Sequence, residues 1–274
     1  MSGTSNSIVD PELYTETYYL TDNEGFREYA LGVNDHVHEK YSRALRRARL
    51  KPGMRVLDIG CGRGEISFHA AGAGCFVTAL DYSEAAVKLC RKTVEQLPRE
   101  LRKNVSIKQA DVTQLAALFG ALPEKEKFDA VFMVDFVEHV YPRQLKQIVS
   151  DLRTLMKSGG LIFISTPNRW YEQYFYGVKK LIEWPFTFLK MSSRLVRGKI
   201  KPDEFWAKVN HFSLHRNDLI DHMHINVMSP SDVKKYFKGW QVDLECADHS
   251  RHLLSILLKP WFGREILACA RPAK

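Results

Sequence analysis

The run Val56-Leu57-Asp58-Ile59-Gly60-Cys61-Gly62-Arg63-Gly64 has the residue types and spacing of a ligand-binding loop. Alternating glycines suit a chain that must bend sharply and bring its backbone close to a ligand. A helix starting near Glu65 would offer free N–H groups to that ligand. The pattern predicts a nucleotide-type cofactor site at the C-terminal edge of a first parallel strand. A dinucleotide fingerprint would need glycine where Glu65 stands. Asp58 would repel a pyrophosphate and suit a ligand carrying a cationic amine and sulfonium. A second group is Asp135-Phe136-Val137-Glu138-His139. On a turn of helix, Asp135, Glu138 and His139 share one face, being at i, i+3 and i+4. Two carboxylates and an imidazole there can bind a divalent cation, or His139 can act as a base or orienting group. A purely structural role is the third option, and all three stay open. A third group is the histidine cluster His211, His215, His222 and His224. In His222-Met223-His224 a strand would turn both rings to one face.

Alternating strands and helices must position these groups. Strands are predicted at Arg55–Ile59, Phe76–Leu80, Val105–Lys108, Ala130–Val134 and Leu161–Ser165. Helices are predicted from Gly64, from Ser83 (an N-cap) to about Leu97, after Asp111, and from Arg143 to about Met156. Ahead of them, a helix is expected from Phe26 to Leu50, ending before Lys51-Pro52-Gly53. The alternation predicts an α/β fold with a parallel sheet covered on both faces. After Pro167 the alternation stops, and the last strands are expected at Gln241–Cys246 and Glu265–Ala270.

The chain has 274 residues, 45% apolar and 26% charged, enough for a large core. Its five cysteines, Cys61, Cys75, Cys90, Cys246 and Cys269, are scattered and lack C-x-x-C spacing. Free thiols in a reducing, cytoplasmic compartment are therefore expected. No signal peptide is expected, because the first 26 residues hold neither a basic region nor an apolar one. No apolar run reaches membrane-spanning length. The net charge of +8 is uneven: residues 1–26 carry five acids and no base, whereas residues 169–216 carry ten Lys/Arg against four Asp/Glu.

The stretch Val56–Gly64 resembles motif I of class I S-adenosylmethionine (SAM) methyltransferases, hydrophobic-hydrophobic-D-hydrophobic-G-x-G-x-G. The resemblance is firm over about residues 50–166 and weaker from 225 onward. It implies a Rossmann-like, seven-stranded, mostly parallel sheet closed by an antiparallel C-terminal hairpin, with a helical insertion after strand five. It also implies SAM contacts at Asp58, Gly60, Cys61, Gly62, Asp81, Tyr82, Asp111 and Val112, and at Met133 and Val134, for which packing in the core is the alternative. Asp81 would accept from the ribose hydroxyls. Asp111 would accept from the adenine amine while Val112 packs on the ring. The stretch Asp135–His139 resembles E-x-x-E-H of ubiquinone-biosynthesis O-methyltransferases and of small-RNA 2′-O-methyltransferases. There the motif carries a metal, but Asp135 is one methylene shorter than the first Glu of that motif. Residues 224–233 resemble H-x-x-x-h-x-P-x-[ED]-h, whose histidine points into the active site. His224 is thus the expected partner of His139. The implied catalytic set is Glu138, His139 and His224, and the implied metal set is Asp135, Glu138, His139 and His224.

The resulting division is an N-terminal helical cap (1–50), a SAM-binding core (51–167), an acceptor-binding or lid insertion (168–228), and the remainder of the core sheet (229–274). Within the insertion, Tyr171, Tyr174, Phe175, Val178, Leu181 and Ile182 follow helical spacing. Trp184, Pro185, Phe186, Phe188 and Leu189 extend the apolar material, and Lys190, Arg194, Arg197, Lys199 and Lys201 follow. Residues 168–201 are read as a lid with its apolar face against the core, or as a peripheral contact with a membrane. Nucleic acid is the weakest reading, with no recognisable RNA-binding module. The expected function is methyl transfer to a hydroxyl of a small or lipid-linked acceptor. The rival readings are a nicotinamide-dependent dehydrogenase, against which Glu65 argues, and a non-catalytic SAM-binding or membrane-associated scaffold.

Overall fold

The computed structural model describes residues 13–210, 223–247 and 263–273. Strands β1 (Arg55–Ile59), β2 (Phe76–Asp81), β3 (Val105–Gln109), β4 (Phe128–Val134), β5 (Met156–Pro167), β6 (Trp240–Ala247) and β7 (Glu265–Pro272) form one sheet. Their order is β3-β2-β1-β4-β5-β7-β6. The first five pair in parallel, while β7 runs antiparallel to both β5 and β6. This is the mostly parallel, Rossmann-like sheet with an antiparallel C-terminal end that the sequence predicts.

The helices are α1 (Phe26–Leu31), α2 (Glu39–Ala48), α3 (Glu65–Gly72), α4 (Glu84–Val94), α5 (Arg99–Arg102), α6 (Leu115–Phe119), α7 (Pro142–Leu155), α8 (Tyr176–Val196), α9 (Pro202–Asn210) and α10 (Pro230–Tyr236). Strand alternation divides the apolar material between the two faces. Val56, Ala130, Phe132 and Phe163 pack with Ala44 of α2, Ile66 and Phe68 of α3, and Cys90 of α4. Leu57, Ile59, Val131 and Ile162 pack with Leu145, Ile148 and Leu152 of α7 and Val233 of α10. The five cysteines are all free and buried.

Two elements differ from expectation. The helix expected over 26–50 is two helices, α1 and α2, separated by non-helical residues 32–38. Gly32 ends α1 with φ 114° and ψ 121°, a conformation closed to a residue with a Cβ. Strand β5 starts at Met156 rather than Leu161, with an irregularity in its pairing to β4 between Phe128 and Ala130. Gly160 permits this, since a Cβ there would lie 2.9 Å from Met156 Cε and 3.1 Å from the Phe128 carbonyl oxygen.

Candidate active site

The first cavity lies at the C-terminal ends of β1, β2 and β4. Gly60 turns the chain with φ 69°, and a Cβ on it would sit 2.8 Å from the Phe136 ring. Gly64 (φ 86°) starts α3 so close to α4 that a Cβ would meet Cys90 Sγ at 2.7 Å. The sequence places glycine at both positions because the backbone conformation and the lack of space each require it.

Asp81 ends β2 and is buried. Its carboxylate accepts from the Gly62 N–H at 3.0 Å and the Ser83 N–H at 2.9 Å. Burial pushes it up to about 6 against those two donors. Asp58 is also buried and accepts from the Ser67 hydroxyl of α3 at 2.6 Å. Burial pushes it up to about 7, opposed by that hydroxyl. A cationic ligand in this cavity would stabilise both carboxylates in their ionised form. Asp111 accepts from the Thr113 N–H and hydroxyl through Oδ1, so it caps the turn that follows β3 while lining the cavity.

All the expected cofactor residues line this cavity except Met133. Met133 is fully buried in the core on the α7 side of the sheet. Its neighbour Val134 lines the cavity, because successive strand side chains point to opposite faces. The sequence reading did not find Tyr14, Tyr18 and Tyr19, which come from the acidic N-terminal stretch and also line the cavity.

A second cavity adjoins the first. Tyr18, Asn23, Asp135 and His139 line both, and Glu138, Met223, His224, Lys40, Glu24 and Glu265 line the second. After β4, Asp135 adopts φ 51°, uncommon for a residue with a side chain. The short 3-10 turn Val137–His139 follows. The ligand atoms of Glu138, His139 and His224 lie within 4.8 Å of one another. Asp135, expected in the same set, is engaged elsewhere: Oδ2 accepts from Lys40 at 2.6 Å and Oδ1 from the Ser165 hydroxyl at 3.1 Å. Its left-handed backbone turns it away from the single helical face assumed for the motif.

Glu138 is almost fully buried and accepts from the Thr166 hydroxyl at 3.0 Å. Burial, and then the charge of Asp135, push its carboxyl well above the usual range. Burial lowers His139, with the Met223 carbonyl and Asp135 opposing. The two imidazoles of His139 and His224 meet edge-to-face with centroids 5.0 Å apart. Asn226 ties the two segments together: its N–H donates to the Glu138 carbonyl and its side-chain amide to the Val137 carbonyl. Ser229 and Asp232 form the reciprocal cap of α10 that fixes the end of this segment. His211, His215 and His222 lie outside the described residues.

Lys40 of α2 is buried and bonds Glu24 at 2.7 Å, Asp135 at 2.6 Å and Glu265 at 3.1 Å. Those three carboxylates hold its pKa well above the ordinary lysine value despite complete burial. Neither Lys40 nor its set of partners was found from the sequence. A lysine within an amphipathic helix reads as solvated surface, and its partners lie up to 225 residues away.

A family model described as a methyltransferase domain matches residues 33–249. A ubiquinone biosynthesis O-methyltransferase of Coxiella burnetii is 29% identical over 158 residues, covering 57% of this chain and 62% of that protein. The chain thus matches less than two thirds of that relative's length. A protein of the same name from Glaesserella parasuis is 31% identical over 182 residues, covering 64% of this chain and 74% of its own. Among solved structures, a SAM-dependent methyltransferase from Archaeoglobus fulgidus superposes with a TM-score of 0.52 at 22% identity, over 84% of this chain and 92% of that one.

Proposed function

The chain belongs to the methyltransferase-domain family of SAM-dependent enzymes, and from that membership we propose that it methylates a hydroxyl of a small or lipid-linked acceptor. The glycine loop, Asp58, Asp81 and Asp111 would hold SAM in the first cavity, and the second cavity would hold the acceptor. The observation that carries this reading is the shared wall: Asp135 and His139 border both cavities, with Glu138 and His224 beside them. Methyl transfer breaks the sulfonium S–C bond and forms an O–C bond in line, so alignment across such a wall is the main requirement. The hydroxyl proton must also leave, and in this reading His139 would accept it.

Glu138, His139 and His224 also fit a divalent cation. One carboxylate and two imidazoles suit such an ion, and their 4.8 Å span is near the ~4 Å that ligands ~2.1 Å from one ion allow. When bound, the ion would lower the pKa of an adjacent hydroxyl. The named relatives act in ubiquinone biosynthesis, which supports an oxygen acceptor here. Labelled methyl transfer from SAM to fractionated cell extract tests the reading. Label stable to base excludes a methyl ester, and mass-spectrometric fragmentation that locates it on oxygen identifies the ether product. Label on nitrogen or carbon, or no incorporation into any fraction, rejects the proposal.

The same proposal assigns residues 168–201 to the acceptor side. Tyr171 and Phe175 are buried, as a lid packed on the core requires. On α8, however, Val178, Leu181, Ile182, Phe186 and Leu189 are exposed, Phe186 at 72%. This departs from a lid whose whole apolar face meets the core. It supports a helix lying on an anionic membrane, with Lys190, Arg194 and Arg197 near its C-terminal end. No helix among the described residues is long and apolar enough to cross a membrane.

A further inference from the structure

We propose that Tyr14 is a positioning residue for His139, acting with the Met223 carbonyl as a second acceptor that holds its imidazole as the Nδ1–H tautomer so that the lone pair sits on Nε2. The inference rests on the reading of His139 as base or ligand and concerns how that imidazole is set.

A neutral imidazole carries one ring proton. His139 Nδ1 lies 3.0 Å from the Met223 carbonyl oxygen, which can only accept. Were the proton on Nε2, two lone pairs would face each other in a buried site, and the carbonyl would lose its partner. The proton is therefore on Nδ1. Tyr14 Oη lies 2.8 Å from the same nitrogen and receives a share of that proton. Its own hydroxyl proton then points elsewhere, and Tyr14 is hydrogen-bonded to Tyr82. Tyr82 follows Asp81 and lines the cofactor cavity. The Tyr14 ring also meets Tyr82 and His139 edge-to-face, with centroids 5.3 and 5.5 Å away.

The segment that presents Tyr14 is fastened to the cofactor loops themselves. The Ser83 hydroxyl donates to the Tyr14 carbonyl at 2.9 Å. Arg63, the residue between the second and third glycines, is buried and donates to the carbonyls of Tyr19, Asn23 and Glu24. Glu65 balances its charge at 2.7 Å. The setting of His139 is thus tied, through Tyr14, to the loops that would hold SAM.

The test is the two-bond 1H–15N spectrum of histidine-labelled full-length protein, saturated with S-adenosylhomocysteine and kept in EDTA so that no cation dictates the tautomer. The His139 signal is assigned by its loss in His139→Gln. The expected wild-type signature is Nδ1–H. In Tyr14→Phe, which keeps the ring, an Nε2–H population should appear, or exchange of the Nδ1 proton with water should quicken about tenfold, as loss of one hydrogen bond allows. An Nε2–H signature in the wild type overturns the proposal, and so does a Tyr14→Phe spectrum identical to wild type. Should Tyr14→Phe not fold, Tyr82→Phe, which removes the bond to the Tyr14 hydroxyl, should move the same signal in the same direction; no movement overturns it. Calorimetry of S-adenosylhomocysteine on the same samples separates the two readings. Absent binding undermines the enzyme assignment, whereas normal binding with the wrong tautomer rejects the Tyr14 role alone.

Discussion

At the scale of single residues, burial raises the pKa of the two carboxylates proposed to face SAM. Asp58 and Asp81 are raised by burial to about 7 and about 6. Binding of cationic SAM favours their ionised forms, so its affinity should rise between about pH 5 and pH 8, with protons released on binding. Calorimetry in buffers of different ionisation enthalpy measures both effects, and a flat profile with no proton release contradicts the placement. Asp81→Ala should weaken SAM binding by about 1.5–3 kcal/mol, the range for hydrogen bonds to a charged group. Beyond the cofactor, His139→Ala should lower turnover far more than SAM affinity. If EDTA leaves wild-type turnover intact, His139 acts as a base. If EDTA abolishes turnover and a divalent cation restores it, His139 acts as a ligand.

At the scale of elements, the loop between β1 and α3 has the least freedom to vary. Gly64→Ala combines a positive φ with a Cβ 2.7 Å from Cys90 Sγ and 3.0 Å from the Cys90 backbone. A loss of about 2–4 kcal/mol is expected, from strain and overpacking together. Urea unfolding of that variant gives the number directly. Helix α8 is the opposite case, an element with an uncovered apolar face. The protein should sediment with anionic vesicles and be released by high salt, since surface attraction is screened beyond about 10 Å at 0.1 M ionic strength. Leu181→Ser with Phe186→Ser should reduce recovery further. Equal recovery with neutral and anionic vesicles would leave only the lid role for residues 168–201.

At the scale of the whole molecule, Lys40 joins α2, the N-terminal segment, the loop after β4 and the start of β7 through Glu24, Asp135 and Glu265. Lys40→Met keeps the volume but strands three carboxylates, and a loss of about 3–5 kcal/mol is expected at pH 7. The pH dependence has a definite sign. In the wild type, Lys40 holds Glu24 well below its usual value. That contribution is present above the unfolded-state pKa and fades as pH falls through the lower, folded one. In Lys40→Met, Glu24 should instead sit above its unfolded value. Glu265, which burial already raises to about 7 against Lys40 in the wild type, should rise further. The variant should therefore lose stability relative to wild type as pH rises through that window. Denaturation midpoints of both proteins across the acid range would show the gap narrowing in acid. A parallel pair of curves would contradict the central role of Lys40.

What the chain alone determined is what short-range geometry dictates. A strand, a glycine turn and a helix in succession place Gly60, Gly62 and Asp81 at one sheet end, because strand pleat and positive φ are local properties. The cap of Ser83 on α4 is legible for the same reason, as are Asp58 and Asp111. The pleat also explains Met133: the sequence places it at the end of β4, but only the sheet shows which face it takes, and that face is the core. Tertiary structure alone decided the rest. Lys40 meets Asp135 across 95 residues, and Tyr14 meets His139 across 125. Arg63 finds backbone carbonyls, which every residue possesses and no pattern marks. Such contacts follow from how the N-terminal segment crosses the sheet end. That path is set by the sum of packing and hydrogen bonds over the whole chain, not by the spacing of neighbouring residues.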